Sequence, residues 1–331
     1  MTPLRIAING FGRIGRAFFR AAWKNPVFDI VAINDLGEPE NLAYLLRYDT
    51  VYGRSAFPVA IKRIGKKTIF SINGKEVEVL KEKDPKNLPW RDFGVDVVVE
   101  STGAFRKPSE ARAHIDAGAK RVVVTAPFKG DETDTDAGIV LIGVNEDHFS
   151  RYTITSNASC TTNAASPLIA ILNESIGVEK AMLNTVHGYT SSQALVDGPS
   201  VKDFRRGRAA AANIIPTTTG ASEAVTKALP ALEGNFKGVA IRVPVLAGSL
   251  VDITFVEKIN TTAEEINDIL KKAAMEPRWE KVFSVTEDPI VSSDIINVPH
   301  ASIADLSFTS VVGGNLVKVL AWYDNEMGYA Y

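Results

Sequence analysis

Apolar and polar positions follow two different rhythms along this chain, and the change between them divides it. In the first half, short unbroken apolar runs stand between amphipathic stretches. Leu4 to Asn9, Phe28 to Asn34, Val95 to Glu100 and Arg121 to Thr125 read as buried strands. Arg13 to Lys24 sets Ile14, Ala17, Phe18, Ala21 and Ala22 on one helical face. Pro39 to Arg47, with Pro39 suited to a first turn, and Pro108 to Gly118 read as further helices. Strands alternating with helices imply a parallel sheet with right-handed crossovers. Phe57 to Leu80 instead breaks into β-like pieces around Gly65 and Gly74, as antiparallel hairpins do.

The rhythm changes near residue 156, where Ser156 to Asn163 is almost entirely small and polar. Ala164 to Asn173 then reads as a helix and Ala181 to Val186 as a strand. Gly188 to Ala209 is irregular, and an irregular stretch of that length inside a compact domain is usually functional. Val239 to Val245, Leu250 to Ile259 and Asn315 to Tyr323 read as strands. Thr262 to Met275 is a helix opened by a capping box, Thr262 with Glu265 three residues on. The expected fold is therefore α/β: a Rossmann-type, doubly wound parallel-sheet domain over 1–156, followed by an α+β domain with a mostly antiparallel sheet over 157–331.

Composition narrows the function. The 331 residues suit two domains, and 45% hydrophobic with 23% charged residues is an ordinary globular mix. Lys and Arg total 37 against 39 Asp and Glu, so there is no global pull toward nucleic acid or an anionic membrane. No run reaches the roughly 20 apolar residues that span a bilayer, and the N-terminus enters a strand-like run with no leader pattern. A cytoplasmic protein is expected. Cys160 is the sole cysteine, so no internal disulfide can form. No metal site is expected.

Asn9-Gly10-Phe11-Gly12-Arg13-Ile14-Gly15 contains G-x-G-x-x-G between the first strand and the first helix. That context suits a dinucleotide: a tight turn, close approach of pyrophosphate, and a helix N-terminus facing the phosphates. Asp35 ends the second strand, where the fingerprint expects an acid for the ribose hydroxyls, and it favours NAD over NADP. Cys160 precedes a helical run. A helix N-terminus favours thiolate over thiol, so a lowered pKa and a nucleophilic role are expected. Of the four histidines, His114 and His148 fall in helix-like stretches and read as surface residues. His187 ends a strand, a position typical of functional side chains, although periodicity alone does not join it to Cys160.

Ser156 to Asn163 closely resembles the active-site signature of the phosphorylating glyceraldehyde-3-phosphate dehydrogenases. The likeness extends through Ile8 to Arg16, Ser101 to Gly103, Thr185 to His187, Asn213 to Gly220, Ala240 to Pro244 and Trp322 to Gly328. It implies Cys160 as nucleophile and His187 as base and later acid. It implies Ser159, Thr161, Thr219 and Gly220 around inorganic phosphate, Thr190 and Arg242 around the substrate's C3 phosphate, and Arg206 as a loop arginine near the phosphates. Gly10, Phe11, Gly12, Arg13, Ile14, Gly15, Asp35, Lys83, Thr102 and Thr125 match cofactor positions, and Asn325 matches the residue that holds the nicotinamide carboxamide. The implied chemistry is oxidation of glyceraldehyde 3-phosphate by NAD through a thiohemiacetal and a thioester, which inorganic phosphate cleaves. The implied assembly is a homotetramer in which the loop from Gly188 meets a neighbour.

The sequence also departs from the family pattern. Ala164 stands where a second cysteine is common, Lys83 where an arginine is common, and Met327 where a tryptophan is usual. The family pattern continues past the position of Tyr331 into a terminal helix on the cofactor domain. Two rival readings remain. One is a sibling erythrose-4-phosphate dehydrogenase, against which Thr217 to Gly220 favours phosphorolysis. The other is a non-catalytic NAD-binding interaction protein.

Overall fold

In the computed structural model, residues 2–130, 134–201 and 203–331 are described. They fold as two compact units: Met1–Val140, Asp147–Ala158 and Ala330–Tyr331 form the first, and Leu141–Glu146 with Ser159–Tyr329 the second.

Among the described residues the first unit carries a nine-stranded sheet. Its spatial order is Ala137–Ile139, Ile154–Ser156, Arg121–Val124, Val97–Glu100, Leu4–Asn9, Phe28–Asn34, Lys75–Leu80, Lys67–Ile72 and Val59–Ile64. The strands pair in parallel until the last three, which form the antiparallel hairpins expected around Gly65 and Gly74. Leu4–Asn9 lies between Phe28–Asn34 and Val97–Glu100. The chain therefore winds away from it in both directions, which opens a crevice at the carboxyl ends of these strands.

Ile6, Ala7 and Ile8 are buried, as a strand covered on both faces requires. The helix Arg13–Ala22 follows directly, with Phe19 and Ala22 in the core. Gly15 lets this helix pack close: a Cβ there would lie 2.1 Å from the Gly10 carbonyl oxygen. The strand-like ends of Ala137–Ile139 and Ile154–Ser156 are too short to announce themselves by periodicity.

The second unit carries a seven-stranded sheet in the order Ile215–Thr218, Phe236–Val243, Val178–Gly188, Ser249–Glu257, Leu316–Tyr323, Ser302–Val312 and Phe283–Thr286. Two neighbouring pairs are parallel and the others antiparallel. Ser249–Glu257 alternates buried and half-buried positions along its whole length. The inner face packs on the helix Cys160–Ser175, whose stretch from Ala164 to Leu172 is buried throughout. Ala263–Ala274 is capped by Thr262 and Glu265 as the sequence pattern predicts.

Candidate functional site

In the first unit, a cavity of about 820 Å³ opens at the carboxyl ends of the central strands, lined in part by Gly10, Gly12, Asp35, Lys83 and Thr102. Each glycine of the motif answers to a different constraint. Gly10 has φ +92°, and a Cβ on it would sit 2.6 Å from the Thr102 nitrogen. Gly12 meets nothing within 4 Å in the direction of a Cβ, so the space it leaves belongs to the cavity and not to the protein. The Asp35 carboxylate accepts the Phe11 N–H at 2.6 Å and the Gly37 N–H at 2.8 Å, which ties the glycine turn to the end of the second strand. This is the layout a dinucleotide needs: open space at a helix N-terminus for pyrophosphate, and a carboxylate at the cavity wall for ribose hydroxyls. The residues present fit NAD.

Not every residue assigned to the cofactor lines that cavity. The Phe11 ring is turned into the core, edge-on to Phe19 with centroids 5.6 Å apart, which leaves only its backbone on the glycine turn. Arg13 pairs with Asp49 at 2.7 Å and stacks over Tyr52. Ile14 is half-buried on the helix, and Thr125 donates its hydroxyl to the Glu100 carbonyl at 3.1 Å. The surface role expected of His114 is overturned. It is fully buried, and its ring nitrogens meet the Trp90 indole and the Glu100 carboxylate, each at 3.0 Å. An apolar core accepts an imidazole once both nitrogens have partners. His148 is partly exposed beside Asp147, as expected.

In the second unit, Cys160 is the first residue of its helix, and Ser159 caps it by accepting the Thr162 N–H at 3.1 Å. His187 lies on the strand Val178–Gly188, directly across from Arg242 on the parallel strand Phe236–Val243. The Cys160 Sγ is 3.3 Å from His187 Nε2. Periodicity could not join these two residues; the tertiary fold does. His187 Nδ1 lies 2.6 Å from the Gly188 carbonyl, which also accepts Arg242 Nη1 at 3.0 Å. The Gly188 carbonyl favours a proton on Nδ1, which leaves Nε2 facing the sulfur as an acceptor, whereas Arg242 Nη1, 2.5 Å from the same Nδ1 and able only to donate, favours the opposite tautomer.

Electrostatics correct one expectation. Burial pushes the Cys160 thiol up, and the Arg242 charge and hydrogen bonds from Thr161 only partly offset it. Burial, reinforced by the Arg242 charge, lowers His187 to about 3. Both shifts favour the neutral thiol and the neutral imidazole. The helix N-terminus favours the anion, but desolvation of a half-buried sulfur outweighs it. Proton transfer from sulfur to imidazole then depends on what enters the site.

The remaining predicted residues surround this pair in part. Arg242 is beside His187, and burial is the main cause that lowers the pKa of its half-buried guanidinium. Thr161 Oγ1 meets the Tyr323 hydroxyl at 2.9 Å, and Thr185 Oγ1 meets it at 2.7 Å. Thr190 contacts Ser192 at 2.9 Å. Thr219 accepts the Ala221 N–H, and Gly220 caps the helix Ala221–Ala228 with open space around it. Arg206 donates to Thr217 at 3.0 Å and lies 3.7 Å from Asp203. Asn325 Oδ1 accepts the Gly248 N–H and the Ser249 hydroxyl, each at 3.0 Å, which orients its amide. Tyr323 is a site residue that sequence reasoning misses. It is buried, holds two threonines and packs edge-on to the His187 ring with centroids 5.8 Å apart. Its position two residues before Asn325 was the available signal.

Comparison with known proteins gives the same picture. Residues 4–108 match the family model described as glyceraldehyde 3-phosphate dehydrogenase, NAD binding domain, and residues 159–325 match its C-terminal domain. A glyceraldehyde-3-phosphate dehydrogenase of Thermotoga maritima is 48% identical over 98% of this chain and 96% of its own length. Glyceraldehyde-3-phosphate dehydrogenase 2 of Bacillus subtilis is 45% identical over 99% of this chain and 94% of its own. The Geobacillus stearothermophilus enzyme is 45% identical over 99% and 95%. With both domain models matched and relatives of this identity aligned over almost its whole length, the chain belongs to the glyceraldehyde-3-phosphate dehydrogenase family.

Proposed function

We propose that this protein is an NAD-dependent, phosphorylating glyceraldehyde-3-phosphate dehydrogenase. The observation that carries the reading is the 3.3 Å approach of Cys160 Sγ to His187 Nε2 at a helix N-terminus. A bystander cysteine has no need of an imidazole acceptor, so this contact also weighs against a binding-only protein.

The chain's own groups account for the acid–base steps. Cys160 Sγ adds to the aldehyde carbon, forming the C–S bond of a thiohemiacetal, and its thiol proton passes to Nε2. N–H groups of the helix's first turn, which the helix itself leaves without carbonyl partners, are available to stabilise the oxygen that becomes negative. Nε2–H gives that proton to this oxygen, completing the thiohemiacetal, and the freed Nε2 takes it back as the adduct is oxidised to a thioester. Bound NAD supplies the hydride acceptor for that oxidation. Inorganic phosphate attacks the thioester carbon, the C–S bond breaks, and Cys160 leaves as the thiolate. Arg242, Arg206, Thr190, Thr219 and Gly220 supply guanidinium forks, hydroxyls and backbone N–H groups for the two phosphate groups.

We assign the protein to the cytoplasm, where a nucleophilic thiol stays reduced. We also assign a homotetramer. The outer face of the second unit's sheet exposes Met182 (68%), Val239 (52%) and Phe308 (57%), and the loop after Gly188 exposes Leu195 and Phe204. Apolar surface of this kind marks association. The test is NADH formation from glyceraldehyde 3-phosphate with and without inorganic phosphate, and with erythrose 4-phosphate in parallel. Phosphate-dependent turnover that favours the three-carbon aldehyde is expected. Phosphate-independent turnover, or a preference for the four-carbon aldehyde, overturns the reading.

A further inference from the structure

Hydrogen-bond polarity can be traced through the buried polar cluster of the first unit, because both of its ends are donors that cannot be reversed. One end is the Glu82 backbone N–H, which donates to Asn34 Oδ1 at 2.8 Å. That fixes the Asn34 amide, so its Nδ2 donates to Asn9 Oδ1 at 2.7 Å and to the Glu82 carbonyl at 2.9 Å. The Asn9 amide is fixed in turn, and its Nδ2 donates to Glu100 Oε2. The other end is the Trp90 indole N–H, which donates to His114 Nδ1 at 3.0 Å. Nδ1 therefore carries no proton. The imidazole is neutral, and its Nε2–H donates to Glu100 Oε2 at 3.0 Å. Glu100 Oε1 takes the Thr102 N–H at 2.9 Å and the Thr102 hydroxyl.

Four donors thus converge on one carboxylate, which has about four acceptor positions. Glu100 is 1% exposed and His114 is fully buried. The anion is solvated by neutral dipoles alone, each oriented by the next, and the consequence falls on Thr102. A hydroxyl has one proton and two lone pairs. The Thr102 proton is committed to Glu100, and one lone pair receives the Ala104 N–H at 3.0 Å. A single acceptor position is left, on a residue that lines the cavity.

We propose that Glu100, oriented by His114 and Trp90, is a positioning residue that turns the Thr102 hydroxyl into a fixed proton acceptor toward the nucleotide. At this point of the cavity it selects a hydroxyl or an amine of the cofactor and rejects a phosphate oxygen. The inference rests on reading the cavity as the NAD site.

A double-mutant cycle on the Kd for NAD, measured on the full-length protein, tests it. Thr102→Val removes the acceptor and Glu100→Gln frees the hydroxyl to turn. Each is expected to weaken NAD binding about tenfold, the scale of one well-placed hydrogen bond. The double variant is expected to be no worse than either single one, and Thr102→Ser to bind close to wild type. Glu100→Gln raises KM for NAD and leaves kcat at saturation nearly unchanged. A merely structural Glu100 gives additive losses, or a lower Tm with an unchanged Kd in the folded protein. Should Glu100→Gln fail to fold, Trp90→Phe, which frees His114 Nδ1, replaces it in the same cycle. Nicotinamide hypoxanthine dinucleotide separates the two donors: loss of sensitivity to Thr102→Val identifies the adenine amine, and retained sensitivity identifies a ribose hydroxyl. Additive losses, or an unchanged Kd in both the Glu100 and Trp90 variants, overturn the inference alone. A wild-type protein that does not bind NAD overturns the cofactor reading itself.

Discussion

The three glycines of the nucleotide turn permit a test that separates folding from binding. Gly12 has φ −71°, a value open to alanine, and no protein atom lies within 4 Å of where its Cβ would be. Gly12→Ala is therefore expected to change stability by no more than about 0.5 kcal/mol, the cost of alanine for glycine at a helix N-cap. Its methyl group enters the cavity where the cofactor's pyrophosphate must approach the backbone, so NAD affinity should fall more than about tenfold, over 1.4 kcal/mol. Gly15→Ala does the reverse work. Its Cβ would lie 2.1 Å from the Gly10 carbonyl oxygen, a clash with backbone that no rotamer relieves. Separating helix from turn is expected to cost about 3 kcal/mol, at the upper end of overpacking effects. Gly10→Ala combines a clash of 2.6 Å with a left-handed φ and should fall between these or beyond them. Urea unfolding gives the stability, and fluorescence titration with NAD gives the affinity. If Gly12→Ala unfolds as readily as Gly15→Ala, or binds NAD like wild type, the division of labour argued for this turn is wrong.

Other expectations follow from the same geometry. Cys160→Ser should abolish nearly all turnover, and His187→Asn should cut kcat while leaving Cys160 open to iodoacetamide; equal turnover in either variant refutes the pair. Asp35→Gly should relax the preference for NAD over NADP, read as the ratio of the two kcat/KM values, and an unchanged ratio removes Asp35 from ribose recognition. Glu257 is buried, neither carboxylate oxygen has a hydrogen-bond partner among the described residues, and burial and nearby Glu265 push it up to about 7. Because its folded pKa is raised, its ionisation costs nothing below the unfolded value of 4.5 and destabilises increasingly as pH rises toward 7. Glu257→Gln should therefore gain stability over wild type across that window, and a pH-independent difference in Tm refutes it.

Much of the architecture is legible in the pattern of residues. Leu4–Asn9, Phe28–Asn34 and Pro39–Arg47 form where the apolar runs and the first-turn proline place them. Local signals suffice there, because a buried parallel strand must be apolar on both faces and a capping box acts within one turn. Ser302–Val312 is a strand that the residue pattern does not announce, because its second half faces outward and lacks a sustained alternation. The helix Cys160–Ser175 begins four residues before its apolar run, since small polar residues start a helix without helical periodicity.

The sequence by itself determined the glycine turn, the acid at the end of the second strand, and the residue types that could do the chemistry. Only the tertiary structure decided which of them meet. Parallel pairing of Val178–Gly188 with Phe236–Val243 brings His187 and Arg242 side by side, although they are 55 residues apart in sequence. Packing of a helix against that sheet brings the sulfur to the imidazole. The same packing set the direction of both pKa shifts, because desolvation depends on the neighbours that exclude water, and those neighbours are set by contacts distant along the chain. It also decided that His114 is an internal partner of Glu100, which no helical spacing foretold.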